Sequence, residues 1–150
     1  MAATELSHEV PIEDYICLAL YTASRAVTGI YRELLDGLGL TYAQYLVMRV
    51  LWQSGPLPVK AIAETLQLDY GTLSPLLKRL DGSGLIRRSR RRDDERSVEI
   101  TLTGAGEAMR HKAAGVPAQL RCALHLDDEA EAQLRDTLKR LTASIRTSGS

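Results

Sequence analysis

"LDYGTLSPLLKRLDGSGLI", residues 68–86, runs directly into "RRSRRRDDERSVEITLT", residues 87–103, and the periodicity changes between them. In the first stretch Leu73, Leu76, Leu77 and Leu80 fall at i, i+3, i+4 and i+7, one apolar stripe of a helix that leaves through Gly82 and Gly84. In the second, Val98, Ile100 and Leu102 alternate with Glu99, Thr101 and Thr103, the period of a half-buried strand. "LIRRS" supplies an opposing arm, with "RRRDDER" as the loop of a hairpin. Just upstream, Val59, Ile62, Ala63 and Leu66 sit at helical spacing, and "QLD" reads as a short turn into the leucine helix.

Two short helices joined by a tight turn, then a basic hairpin, make the order of a winged helix-turn-helix. That order suits DNA: a helix fits the major groove, and a thin hairpin bearing arginine reaches the narrower minor groove. Thr72, Ser74, Lys78 and Arg79 form the polar face of the expected recognition helix. Pro75 lacks a backbone donor and is comfortable only in a first turn. Either Thr72 is the N-cap, or the helix begins at Tyr70 with an irregular first turn. The charge agrees with a local contact. The chain is neutral overall, yet residues 87–96 hold six Arg against three acids, Arg88 among them.

Working outward, residues 11–36 read as one long helix opened by Pro11, Glu13 and Asp14 and closed at Gly37 and Gly39. A second helix, 42–53, turns Tyr45, Leu46, Val50 and Leu51 inward and stops at "SGP". Beyond Gly104 the chain is helical to about Ala114, is interrupted at "GVP" and resumes. A last helix starts at "DDEAE", where Asp128 and Glu131 suggest a capping box. Its Leu134, Leu138, Leu141 and Ile145 form a seam that wants a partner.

The 150 residues, 45% hydrophobic and 25% charged, fit one globular domain with helical extensions. No apolar run approaches the roughly 18 residues of a membrane span. "MAATELSHEVPIED" lacks the order of a signal peptide, so a cytoplasmic location with no membrane partner is expected. In that reducing setting the two cysteines, 105 positions apart, read as free thiols rather than a structural disulfide. His8, His111 and His125 lack ligand spacing, so no metal and no cofactor are expected.

Cys17 poses a separate question. With Tyr21, Ser24, Thr28 and Tyr31 it follows steps of four and three, so the five share one helix face. A packing stripe is usually Leu and Val, and this one carries phenols and hydroxyls. Cys17 lies fourteen residues before Tyr31, about 21 Å along one helix, so the two cannot bond within a chain. Across a two-fold axis they can meet.

"LTYAQYLVMRVLW", "LDYGTLSPLLKRLDGSGLI" and "RRRDDERSVEITLT" closely resemble the MarR family of bacterial repressors. "CLALYTASRAVTGIY" narrows the resemblance to the organic-hydroperoxide-resistance regulators, over residues 12–146. It implies a mainly α fold with a small β-hairpin wing, dimerised through N- and C-terminal helices. A tail (1–10) precedes a single domain (11–146), with its DNA-binding lobe at 40–103 and dimerisation helices at 11–36 and 104–146. A disordered tail (147–150) follows.

By the same resemblance Arg96 enters the minor groove, Asp94 holds it, and the second half of the recognition helix, with Pro75, lies in the major groove. Phenols matching Tyr31 and Tyr42, some from the partner subunit and assisted by Tyr21, hydrogen-bond the Cys17 thiolate, which an organic hydroperoxide oxidises to a sulfenic acid. Cys122 stands where two-cysteine members carry the residue that forms an intersubunit disulfide. The function implied is a homodimeric repressor, not an enzyme, that leaves an inverted-repeat operator DNA on oxidation. The rivals are a repressor induced by a small phenolic ligand with an inert Cys17, a thiol peroxidase, and a scaffold module whose wing touches protein.

Overall fold

The computed structural model describes residues 10–90 and 97–149. Asp94 and Arg96, the expected minor-groove pair, lie outside them. The chain divides into two compact units, Met1–Ala114 and Gly115–Ser150, at the interruption that the sequence places at "GVP".

In the first unit, i→i+3 bonds close a 3₁₀ turn over Ile12–Asp14, and Tyr15 is extended at φ −72°, ψ 126°. An extended residue cannot carry the i→i−4 ladder, so α1 spans Ile16–Leu35 rather than starting at Pro11. It ends through a second 3₁₀ turn, Asp36–Leu38, and Gly39 at φ 67°, a left-handed position that glycine takes without strain. Helix α2, Tyr42–Ser54, starts from a full capping box in which Thr41 and Gln44 satisfy each other's backbone donors. It buries Tyr45, Val47, Met48, Val50, Leu51 and Trp52, while Leu46, expected inward, is only half-buried.

A two-residue strand, β1 (Leu57–Pro58), leads into α3, Val59–Leu66. The turn to the next helix is Gln67–Asp69, with Gln67 left-handed at φ 56°. Helix α4, Tyr70–Gly82, buries Leu73, Leu76, Leu77 and Leu80 as the spacing predicts. Strands β2 (Ile86–Arg90) and β3 (Val98–Leu102) pair antiparallel, with Ile86 opposite Leu102 and Arg88 opposite Ile100. β1 adds to the far edge of β3, giving the order β1-β3-β2, so the wing is a three-stranded sheet rather than a bare hairpin.

Helix α5, Gly104–Lys112, is tied to this core. Its N-cap Thr103 accepts from the Gly106 amide and donates to the Gly84 carbonyl. The buried Trp52 indole N–H donates to the Gly106 carbonyl at 3.0 Å. A Cβ on Gly106 would overlap the Leu85 carbonyl, so only glycine allows this approach.

The second unit holds α6, Val116–Leu124, and α7, Asp128–Ser148. The cap of α7 is Asp127, which accepts from the Ala130 amide at 2.8 Å, and not Asp128. Asp128 and Glu131 instead pair with Arg121 of α6, which clamps the two helices together. α7 continues through Thr147 and Ser148, where a disordered tail was expected. Among the described residues no helix is long and apolar enough to cross a membrane.

Candidate DNA-binding surface and thiol sites

The α4 cap settles the question around Pro75. Asp69 accepts from the Thr72 amide at 3.2 Å, so the helix starts at Tyr70 and Thr72 is not the cap. The hydrogen bond from Thr72 also holds the Asp69 carboxyl below its usual range. Pro75 therefore sits inside the helix and leaves the Gly71 carbonyl without its usual donor. Both residues are exposed, so water can satisfy that carbonyl. Thr72, Ser74, Pro75, Lys78 and Arg79 are all exposed, opposite the four buried leucines. The spacing that identified the core thus also presents a polar face of hydroxyls and cations. Tyr70, 62% exposed at the first position of α4, stands at the same end and was missed by the sequence reading.

On the wing, Arg87, Arg88, Ser89 and Arg90 are exposed to different degrees and directions. Arg88 shares the face of Ile86 and Ile100, the buried residues of the sheet, and its Nε lies 3.1 Å from Asp81 Oδ2 at the end of α4. It is thus ion-paired; the sequence reading places it among the DNA-binding residues.

All five residues of the expected stripe, Cys17, Tyr21, Ser24, Thr28 and Tyr31, lie on α1. Because α1 begins at Ile16, Cys17 is in its first turn, at the end of the helix macrodipole that favours negative charge. Its thiol is free and exposed. Tyr21, one turn on, is 61% exposed, with the Arg25 guanidinium 5.5 Å from its ring centre.

Tyr31 and Tyr42 do come together, but with each other: their rings stack at 4.1 Å and 15°. Tyr45 joins them at 5.7 Å from Tyr31, and its other edge meets Trp52 at 6.2 Å. Burial, then the neighbouring phenols Tyr42 and Tyr45, push the Tyr31 hydroxyl up to about 12, with Arg49 acting the other way. Burial likewise raises Tyr42 and Tyr45. These phenols therefore stay protonated and can act as hydrogen-bond donors. The sequence reading used Tyr45 only as core and missed Arg49; their i, i+4 spacing, with Tyr42 three residues earlier, was the available signal.

Cys122, in the second unit, is also a free, exposed thiol, near the end of α6 beside Arg121 and His125. Among the described residues no group of three His, Cys, Asp or Glu side chains is placed to hold a metal ion.

A recognition helix capped by Asp69, set on a leucine core and followed by an arginine-bearing wing, defines a winged-helix transcriptional regulator. Residues 40–98 match the MarR family model. The chain is 41% identical over 134 residues to the organic hydroperoxide resistance transcriptional regulator of Bacillus subtilis (strain 168), covering 89% of this chain and 91% of that protein. Among solved structures it matches reduced AbfR bound to DNA, with a TM-score of 0.75, 29% identity and 89% and 92% of the two chains covered. It also matches disulfide-formed AbfR, at TM-score 0.60, 34% identity and 84% and 88% coverage; AbfR is a protein of Staphylococcus epidermidis. The chain belongs to the MarR family.

Proposed function

We propose that this regulator is a homodimeric, redox-switched repressor in which Cys17 senses organic hydroperoxides. The observation that carries the reading is Cys17 itself: an exposed thiol in the first turn of α1, fourteen residues before Tyr31, the member of the protonated phenol cluster that lies on the same helix. Tyr31 sits about 21 Å away along that helix, so a Tyr31 that serves Cys17 comes from a second subunit. Extensive similarity to a hydroperoxide-resistance regulator supports the same assignment. A dimer is further supported by apolar side chains left open on α7, Leu134 at 49% and Ile145 at 65% exposed, and on α1, Ile16 at 70%.

The chemistry balances without a cofactor. The Cys17 thiolate attacks the outer oxygen of the hydroperoxide, the O–O bond breaks, and the departing alkoxide takes a proton to become the alcohol. Cys17 is left as a sulfenic acid. The Cys122 thiol of a partner subunit then displaces its hydroxyl, forming a disulfide and releasing water. A disulfide needs Cα atoms within about 4.4–6.8 Å, so its closure repositions the helices that carry the thiols and with them the recognition helices. On DNA, Thr72, Ser74, Pro75, Lys78 and Arg79 face the major groove, while the wing, through Arg96 held by Asp94, reaches the minor groove.

A second reading, effector binding without thiol chemistry, is favoured by a cavity of about 370 Å³ bounded by Thr28, Arg32, Leu35, Leu40 and Tyr42. Sulfenic-acid trapping separates the two. After one equivalent of tert-butyl hydroperoxide, dimedone should label Cys17 in Cys122→Ser, detected by peptide mass spectrometry. An unlabelled Cys17 refutes the redox reading.

A further inference from the structure

The ion pair between Asp81 and Arg88 has no role in the thiol chemistry, and it joins the two elements that address DNA. Asp81 lies in the last turn of α4, where the helix macrodipole disfavours a carboxylate. The only cation paired with it among the described ion pairs is Arg88, seven residues on, with Nε to Oδ2 at 3.1 Å. Strand register explains how Arg88 gets there. It stands opposite Ile100 and on the same face as Ile86, which are 0% and 1% exposed. The alternation of the strand therefore aims Arg88 inward at α4, while Arg87 and Ser89 take the other face. Both paired side chains remain a little over one-third exposed, 38% and 37%, so solvent screens the pair and it adds little to global stability. Its geometric effect is larger than its energy. It is a side-chain tie between the end of the recognition helix and the base of the wing.

We propose that Asp81 and Arg88 are positioning residues for DNA binding: the pair fixes the wing's angle to the recognition helix, and Arg88 does not itself contact phosphate. The inference rests on the reading that α4 and the wing both touch DNA. The experiment uses the full-length reduced protein and a duplex that the wild type itself selects from a random-sequence pool, with affinity measured by fluorescence anisotropy over a range of salt. Asp81→Asn is the decisive variant. It removes a negative charge beside a DNA-binding surface, so electrostatics alone predicts tighter binding.

The positioning role predicts the reverse: affinity falls about tenfold in both Asp81→Asn and Arg88→Gln. The slope of log K against log salt stays unchanged, and the melting temperature moves little. The charge-exchanged double variant, Asp81→Arg with Arg88→Asp, should recover most of the loss. If Arg88→Gln lowers the slope by about one and Asp81→Asn binds as well as wild type or better, Arg88 is a phosphate contact and the proposal is wrong. A double variant no better than the singles also overturns it. Failure of the wild type to select any duplex would instead remove the underlying DNA-binding reading, a result distinct from either.

Discussion

Cys17 and the tyrosines show how much a single boundary matters. Moving the start of α1 from Pro11 to Ile16 shifts Cys17 from the second turn into the first, where orphan backbone donors and the macrodipole favour an anion. The phenols follow opposite physics. Tyr31, Tyr42 and Tyr45 are partly shielded in a stack, and burial favours the neutral hydroxyl. This gives a pH window with a definite sign. Below the ordinary phenol value of about 10, folded and unfolded chains hold the same protons, and these groups leave stability independent of pH. Between there and about 12, the unfolded phenols ionise while Tyr31 stays protonated, so stability falls as pH rises. Absorbance titration at the phenolate band should show three of the six tyrosines ionising late, with alkaline unfolding in the same window. Loss of the late phase in Tyr31→Phe would assign it; three-phenol titration at ordinary values in the folded protein would contradict the stack.

Helices and strands were legible to the degree that their own residues encode them. The four leucines of α4 and the alternation of β3 announce their elements because period and burial coincide. β1 was not legible. Leu57–Pro58 is two residues long and exists as a strand only through pairing with Glu99 and Ile100, about forty positions away in sequence. The α4 start was ambiguous because Asp69 and Thr72 are both good caps, and only the observed hydrogen bond chooses Asp69. The same local competition hid the α7 cap, where Asp127 wins and Asp128 is drawn into the clamp with Arg121. The Asp81–Arg88 pair was invisible because a run of arginines does not say which of them faces inward. Nor does a small residue say when smallness is required. Gly106 looks unremarkable in "TGAGEAM", yet its Cβ position is filled by the Leu85 carbonyl and its own carbonyl accepts from Trp52. Gly106→Ala should therefore cost about 1–3 kcal/mol of stability, because a backbone oxygen cannot step aside as a side chain can. Urea denaturation measures this. A midpoint equal to that of wild type would show that α5 does not need this close approach.

At the scale of the whole molecule, the first unit carries the recognition helix, the wing, Cys17 and the phenols, and the second carries Cys122 and the open seam of α7. Both thiols are free and exposed, and Tyr31 lies too far along α1 to serve the Cys17 of its own subunit. The proposed pairing of Tyr31 with Cys17 thus calls for a second copy, which is also what an inverted-repeat operator demands of a two-fold reader. In the proposed switch the coupling is mechanical: one covalent bond between subunits would alter the spacing of two recognition helices, and both half-sites would be lost together. The central claim is that oxidation of Cys17 releases DNA. Its most direct test is operator binding by gel shift, for wild type and Cys17→Ser side by side, before and after a stoichiometric dose of tert-butyl hydroperoxide. Wild type should lose its shifted band on treatment and regain it with dithiothreitol, while Cys17→Ser stays bound throughout. Release of Cys17→Ser at the same dose would contradict the account.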